Sequence, residues 1–449
     1  MFELPASIKE INKSFKTTKI TTLDKANSFQ LKRMFSGSVL VDELTGGGWG
    51  YKRRHLLFGQ KSSGKNALLS QTIAYNQRLC RKCHKILPNF YNSSDKRAIF
   101  LRYVLGLQEC KCDLPESKKF LIADYEKSLS IETPAIKIIR NITLNKTGEI
   151  IQESEYDEKT ALFEILSTKI DISDEEKKEL KLFEKWFKDI NIEINKIEHD
   201  STKDYLTKCG VIVSELLVCD PEDTEEGIEL IMPLIKANDI DGIIWDSVQA
   251  SLPRYVKERD ASQATMGSEP KSNGLLLRHM CAAFASKDLE LESEAYKPAF
   301  FMTSQMRSTL GSFIVKDSYS GGHVVAHLMD FILELKKESF LKADGTESKF
   351  TDTFVGQRTR IRAEKSKISA PGDMFEYDYY FRDGDFCQTG EIDHTEEIVK
   401  LGIIKNIIER AGPYYNLSTG DQFKGMSSLL EYMRKEPEFV GNIYKEIRK

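Results

Sequence analysis

The chain has 449 residues, with 65 Lys and Arg against 69 Asp and Glu. That length suits two or three domains, and 40% hydrophobic with 30% charged residues excludes a mostly disordered chain, a collagen-like chain and a small disulfide scaffold. A net charge of −4 excludes attachment to nucleic acid by bulk charge alone, while leaving room for a local basic surface.

No stretch approaches the roughly 20 apolar residues of a membrane helix, and Met1 to Asn12 has no apolar core of signal-peptide type. The expected setting is the reducing cytoplasm. Closely spaced cysteines there point to metal or redox chemistry rather than to disulfides.

Residues 1–35 read as a polar, basic arm with a short helix over Ser7 to Phe15, either loose or docked on another subunit. From Gly37 the text turns glycine-rich. Arg54 to Phe58 reads as a short strand, Gly59 to Lys65 as a loop, and Ala67 to Leu79 as a helix. Further apolar runs at Phe120–Ala123, Glu215–Val218, Gly242–Trp245, Ala299–Met302 and Phe331–Leu335 each end in a polar or turn-forming residue. Helical patterns lie between several of them, as at Glu225–Lys236 and Gly274–Ala285, and Asp223 with Glu226 starts the first as a capping box. This alternation predicts an α/β core over 36–381, with a mainly parallel sheet flanked by helices. Two segments break the rhythm and read as insertions: 78–118, basic and cysteine-bearing, and 131–200, acidic. The spacing of Ile398, Leu401, Ile404, Ile407 and Ile408 predicts a small α-rich C-terminal domain over 382–449.

The run Gly59-Gln60-Lys61-Ser62-Ser63-Gly64-Lys65-Asn66 follows a strand and opens a helix, which is the setting of a phosphate-binding loop. Glycines let the backbone wrap an anion, its N–H groups and the helix N-terminus favour negative charge, and Lys65 would reach the β- and γ-phosphates. Asn66 departs from the usual Thr or Ser, whose hydroxyl binds Mg²⁺, so nucleotide binding is expected and efficient hydrolysis is left open. Asp246 ends an apolar run where a carboxylate can hold Mg²⁺, and Asp124 and Glu126 follow another. Glu126 is the candidate to polarise an attacking water.

With these residues in place, the chain resembles RecA-family recombinases, and bacteriophage-type members in particular. The resemblance spans roughly 37–79, 119–130 and 202–449. It rests on the phosphate loop, on Ile122-Ala123-Asp124-Tyr125-Glu126, on Tyr205 to Val211, and on Ile243-Ile244-Trp245-Asp246-Ser247. It continues through Ser304-Gln305-Met306-Arg307, Gly321-Gly322, Glu364 to Pro371, and Glu397 to Tyr415. The resemblance implies a RecA-like ATPase using ATP and Mg²⁺. Glu126 would activate water, Tyr205 would stack on adenine, and Gln305 would sense the γ-phosphate. Lys365 and Lys367 would reach the ATP of a neighbouring subunit.

The same resemblance implies two DNA-contacting loops. One spans Arg254 to Asn273, with Arg254, Lys257, Arg259 and Lys271 available to phosphates, and Arg278 follows it. The other spans Met306 to Gly322, with Arg307, Leu310, Phe313, Gly321 and Gly322. Cationic groups grip phosphates without reading sequence, and an apolar wedge can part base steps.

Cys80-x-x-Cys83 and Cys110-x-Cys112 supply four thiolates, enough for a tetrahedral Zn²⁺ site, with His84 as an alternative ligand. The expected function is an ATP-dependent recombinase that forms helical homo-oligomeric filaments on single-stranded DNA and pairs them with homologous double-stranded DNA. Loading or single-strand-binding proteins are candidate partners, and the expected place is a bacterial or phage-infected bacterial cytoplasm. Two alternatives stand beside it: a ring-forming DNA motor of the RadA type, and a weakly hydrolysing nucleotide-bound scaffold.

Overall fold

The computed structural model describes residues 6–22, 24–26, 31–124, 140–144, 150–155, 203–257, 268–285, 287, 290–291, 296–308, 317–320, 322–348, 354–367 and 372–448. Contacts divide the chain into two units, 127–205 and all the rest.

The larger unit is organised by one sheet. Its strands are β3 (Arg54–Gly59), β4 (Phe120–Asp124), β7 (Leu216–Cys219), β8 (Gly242–Asp246), β9 (Ala299–Ser308), β10 (Asp317–Tyr319), β11 (Phe331–Leu341), β12 (Gly356–Ser366), β13 (Met374–Tyr380) and β14 (Glu391–Ile392). The order across it is β14-β13-β12-β11-β3-β9-β8-β4-β7, with β10 paired to β9. From β11 to β7 every neighbouring pair is parallel, whereas β12, β13 and β14 add on in antiparallel fashion. The parallel strands are apolar runs because helices cover both faces. Phe58, Ala123, Trp245, Phe300 and Met302 lie in one buried cluster with Ile231, Ile235, Leu276 and Met280 from the covering helices.

Those helices start where local chemistry puts them. Helix α3 (Lys65–Asn76) begins at Gly64, whose φ of +93° suits glycine. Helix α6 (Thr224–Ala237) begins at Asp223, whose carboxylate accepts the Glu226 N–H at 2.8 Å. The Glu226 side chain reaches back to the N–H of Glu222 at 2.6 Å, one residue beyond the N-cap that the reciprocal box would bond. Helix α8 (Ser268–Ala283) leads toward β9, and α9 (Gly322–Leu328) leads into β11. The arm forms α1 (Ala6–Phe15) as expected.

The C-terminal segment is more mixed than its apolar spacing predicts. Helices α10 (His394–Ile404), α11 (Met426–Lys435) and α12 (Pro437–Ile447) flank in sequence a largely exposed three-stranded antiparallel sheet of β15 (Glu409–Ala411), β16 (Tyr414–Asn416) and β17 (Gln422–Lys424). It is tied to the core by buried Glu397. That carboxylate accepts from the Val39 N–H at 3.0 Å and from the Ser38 hydroxyl, at the start of α2 (Val39–Leu44). The smaller unit contains a hairpin of β5 (Arg140–Leu144) and β6 (Ile150–Glu155), with Arg140 opposite Glu155.

Candidate nucleotide and metal sites

The sheet brings the phosphate loop, Asp124 and Asp246 to one edge. Register pairs Asp124 with Asp246 across β4 and β8, and Gly59 with Gln305 across β3 and β9. The row is set by backbone ladders, so each side chain inherits its place from strand pairing. A side chain at Gly59 would meet the Leu335 carbonyl oxygen at 2.0 Å, so the loop leaves the sheet through a gap that only glycine fits.

Lys65 folds over its own loop. Its ammonium donates to the carbonyls of Gly59 at 3.2 Å and Gln60 at 3.0 Å, and to Ser63 Oγ at 3.4 Å. These are neutral acceptors, which a phosphate oxygen can replace with a stronger charge-assisted bond. Asn66 Nδ2 donates to Asp246 Oδ2 at 2.9 Å, and the Thr303 hydroxyl donates to the other oxygen of the same carboxylate. The oxygens of Asp246 and Thr303 are a hard donor set of the kind Mg²⁺ uses.

Next to this row, Gln249 Nε2 donates to Ser304 Oγ and to the Gln305 carbonyl, both at 2.9 Å, and to Ser320 Oγ at 3.1 Å. Gln249 therefore joins the end of β8 to both ends of the segment between β9 and Ser320. Neither Gln249 nor Thr303 stands out in the sequence. The only cue was their position just beyond or inside an apolar run.

Lys365 and Lys367 lie toward the other edge. Lys365 donates to the carbonyls of Ala326 at 2.6 Å, His327 at 3.1 Å and Met329 at 2.8 Å, closing the C-terminus of α9. Burial and the neighbouring Lys367 charge lower its pKa. Lys367 donates to Asp330 Oδ1 at 2.7 Å. Asp330 is fully buried and also accepts from the backbone N–H of Arg54 at 3.0 Å and from its Nε at 2.9 Å. Burial would raise this carboxyl, but the Arg54 and Lys367 bonds hold it down to about 2.

The expected DNA-facing groups are divided. Arg254 pairs with Asp223 at 2.9 Å and Lys257 pairs with Glu222, so acids at the start of α6 hold these two cations in place. Lys271 and Arg278 are exposed on α8, two turns apart and on one face. The second expected loop has a hairpin stem, with Met306 opposite Tyr319, Arg307 opposite Ser318 and Ser308 opposite Asp317. Gly322 opens α9. Tyr205 is half-buried in the helical stretch 203–208. Glu126, Arg259, Leu310, Phe313 and Gly321 lie outside the described residues, as does the Arg307 side chain.

The cysteine insertion brings four remote thiols together. The sulfurs of Cys80, Cys83, Cys110 and Cys112 all lie within 4.8 Å of one another, and those of Cys83 and Cys110 are 3.4 Å apart. Tetrahedral bonding at about 2.3 Å puts thiolate sulfurs about 3.8 Å apart, so the set fits a single Zn²⁺-sized ion. Burial would push the Cys80 thiol up, but backbone N–H groups of Cys83 and Lys82 hold it down to about 7. Burial pushes the Cys110 thiol up to about 12. His84 is not part of the cluster. Its backbone φ of +59° turns the ring away to stack on Tyr296, with centroids 4.7 Å apart.

Comparison with known proteins follows the same lines. The family model described as RecA N-terminal domain matches residues 188–385. Protein RecA of Chlorobium chlorochromatii is 25% identical over 56% of this chain and 65% of its own length. Protein RecA 1 of Myxococcus xanthus is 26% identical over 56% of this chain and 67% of its own. Protein RecA of Frankia alni is 28% identical over 56% of this chain and 66% of its own. The chain thus spans about two thirds of the length of the relatives it matches. The match and the mainly parallel sheet with its glycine loop agree on a RecA-like α/β fold built round a P-loop core.

Proposed function

We propose that the protein is an ATP-dependent DNA recombinase that assembles helical filaments on single-stranded DNA and pairs it with homologous duplex. The reading is carried by one observation: the groups expected to meet ATP lie at opposite edges of one sheet. Gly59 and Asp246 end parallel strands and Lys65 opens the helix beyond Gly59, while Lys367 meets Asp330 and Arg54 where the strands begin. Five residues of β3 separate the two edges, roughly 16 Å at 3.3 Å per residue. The four-carbon stem of a lysine does not bridge that distance. Within one chain the lysines do not reach the phosphate loop, so in this reading they serve a phosphate on another copy of the chain.

In this reading the loop N–H groups and Lys65 hold the phosphates, and Asp246 with Thr303 and the Asn66 side-chain oxygen face Mg²⁺. Mg²⁺, when bound, would neutralise phosphate charge. Glu126 positions water, and Tyr205 packs against the base. Gln305 relays the phosphate state to the loop over 306–322 through Gln249 and Ser320. Lys271 and Arg278 lie on an exposed helix face suited to phosphates, joined by Arg254, Lys257, Arg259, Arg307, Leu310 and Phe313 in the two loops. The four cysteines hold Zn²⁺ as a structural staple of the insertion. Loading proteins and a bacterial or phage-infected cytoplasm complete the reading.

Electron microscopy of the protein on circular single-stranded DNA with ATP and Mg²⁺ tests it. Striated helical filaments are expected, with one zinc per chain by elemental analysis. Closed rings, or no assembly on DNA, would overturn the filament. One observation favours a second reading, a weakly hydrolysing nucleotide-bound scaffold: Asn66 donates a hydrogen bond to the carboxylate that a metal would need. ATP binding with no DNA-stimulated turnover would select it.

A further inference from the structure

The segment 206–212 is strapped to the far half of α3 by side chains at the end of that helix. Gln77, the C-cap of α3, pairs with both backbone groups of Ile212. Its Nε2 donates to the carbonyl at 3.0 Å, and its Oε1 accepts the N–H at 2.7 Å. Gln71 Nε2 donates to the carbonyl of Cys209 at 3.2 Å and to that of Gly390. Arg78 Nη1 donates to the Gly210 carbonyl at 2.9 Å and to the Ala74 carbonyl, closing the last turn of α3 with a cation where the helix dipole favours one. All three side chains are buried, so a bond removed here leaves a backbone group unpaired away from water.

The cysteine insertion acts on the same side chains. Asp95 caps α5 (Lys96–Tyr103) and takes the rest of the Arg78 fork, Nε to Oδ1 at 2.7 Å and Nη2 to Oδ2 at 2.6 Å. A bidentate pair fixes the guanidinium plane, so Asp95 aims Nη1 at Gly210. Arg97 of α5 brings its Nη2 to 3.4 Å from Gln71 Oε1. It also lies against Gly210. That residue has a φ of +80°, and a Cβ there would meet the Arg97 guanidinium carbon at 2.2 Å, so only glycine lets the backbone come this close.

Both ends of the insertion meet at this point. The Leu87 N–H donates to the Arg78 carbonyl at 2.9 Å, and the Lys118 N–H donates to the Leu79 carbonyl at 3.2 Å. Cys80 of the four-thiol cluster follows directly in the chain. The other end of α3 carries the phosphate loop, roughly 18 Å away along the 12 residues of the helix.

We propose that Arg78, held by Asp95 of the insertion, is a positioning residue that sets the 206–212 segment and through it the grip on the nucleotide base. This rests on the recombinase reading, in which the base packs on Tyr205, peptide-bonded to Leu206. The phosphates lie outside its reach, so the insertion tunes the share of affinity that comes from the base.

Calorimetric titration of the full chain with ATP, and separately with inorganic tripolyphosphate, both with Mg²⁺, tells base from phosphates. The parent should bind ATP more tightly. Arg78→Lys keeps the charge but loses the fork, and Asp95→Asn keeps the helix cap but loses the charge. Each should weaken ATP by about three- to tenfold and leave tripolyphosphate within about twofold. Arg78→Lys leaves Asp95 with a cation beside it, so it decides the matter alone should Asp95→Asn not fold. Equal weakening of both ligands overturns the proposal, because the strap would then only support α3. No change in either overturns it as well, because the segment would hold itself. A loss with Arg78→Lys that Asp95→Asn does not share overturns the part given to the insertion. A parent that binds ATP no more tightly than tripolyphosphate overturns the base contact itself, and the proposal with it.

Discussion

The two edges of the large sheet are built for different work. Where the parallel strands begin, charge is buried and mutually satisfied: Asp330 holds Arg54 and Lys367, and Lys365 closes a helix end. Where they end, Lys65 rests on the carbonyls of its own loop, and the Asp246 carboxylate accepts from Asn66 and Thr303. The first arrangement makes a rigid frame. In the second, the Lys65 bonds can be exchanged for a phosphate at little cost, because a neutral acceptor is given up for a charged one.

Removing the charge at the frame edge should give the largest effect. Asp330→Asn leaves Arg54, only 13% exposed, without its buried counter-charge. A loss of about 3–5 kcal/mol is expected from urea unfolding. The sign of the pH dependence follows from the lowered carboxyl. Its contribution is present above the unfolded value of about 3.9 and is lost as pH falls through about 2. The variant should lose less stability than the parent between about pH 4 and pH 2. Equal acid sensitivity would show that Asp330 is not a main ionic anchor.

His55, on the same edge, makes a smaller test of the same sign in a higher pH window. Its ring stacks between Phe301 and Phe331, with centroids 5.2 and 4.9 Å away, and its Nε2 lies 3.2 Å from the Gly50 carbonyl oxygen. Burial lowers its pKa to about 4. The unfolded chain therefore binds more protons below about 6.5, and stability falls as pH drops from there to about 4. Asp42 and Glu396, each raised by burial to about 7, work in the other direction over the same window. The informative comparison is thus with His55→Phe, which keeps the stack and removes the titration. Its stability relative to the parent should rise by on the order of 2–3 kcal/mol between pH 7 and pH 4. A parallel pH profile would mean that the imidazole is protonated in place.

The lysine pair tests whether the two edges meet in an assembly. Lys365→Ala with Lys367→Ala should leave nucleotide affinity of the dispersed subunit within about twofold, yet lower DNA-stimulated turnover by about tenfold or more. A matching loss in both would show that the lysines only support the frame.

The contrast between the edges also explains what the sequence discloses. The phosphate loop is a contiguous backbone device, so Gly59, Gly64 and Lys65 announce it without any knowledge of the fold. Asp246 is legible as the end of an apolar run. Thr303 and Gln249 are not, because their contacts depend on the register of β8 and β9, to which no local pattern points. The four cysteines are read from spacing, but that spacing leaves His84 open, and only the left-handed turn after Cys83 removes it. The outer antiparallel strands were not expected from the sequence. In β12 the alternation through Thr359, Ile361 and Ala363 has the period of a strand, although the charged residues between them suggest a loop. The small C-terminal sheet, with strands of three residues, is too short to leave such a pattern.

Asn66 gives the smallest expected effect and the sharpest test of the ligand-ready edge. Its amide donates to one oxygen of Asp246 while Thr303 donates to the other, so the carboxylate is already satisfied from both sides. Mg²⁺ approaching that carboxylate competes with the amide donor. A threonine hydroxyl has one rotatable proton and two lone pairs, and so can offer its oxygen to the metal while donating elsewhere. Asn66→Thr should therefore raise Mg²⁺-dependent turnover by about three- to tenfold, equivalent to about one lost hydrogen bond. It should also lower the Mg²⁺ concentration at half-maximal rate. Turnover that does not change would mean that the amide swings away at no cost and its oxygen serves the metal as it stands. The frame at the opposite edge should not respond in either case, so unfolding midpoints of the two proteins without nucleotide should agree.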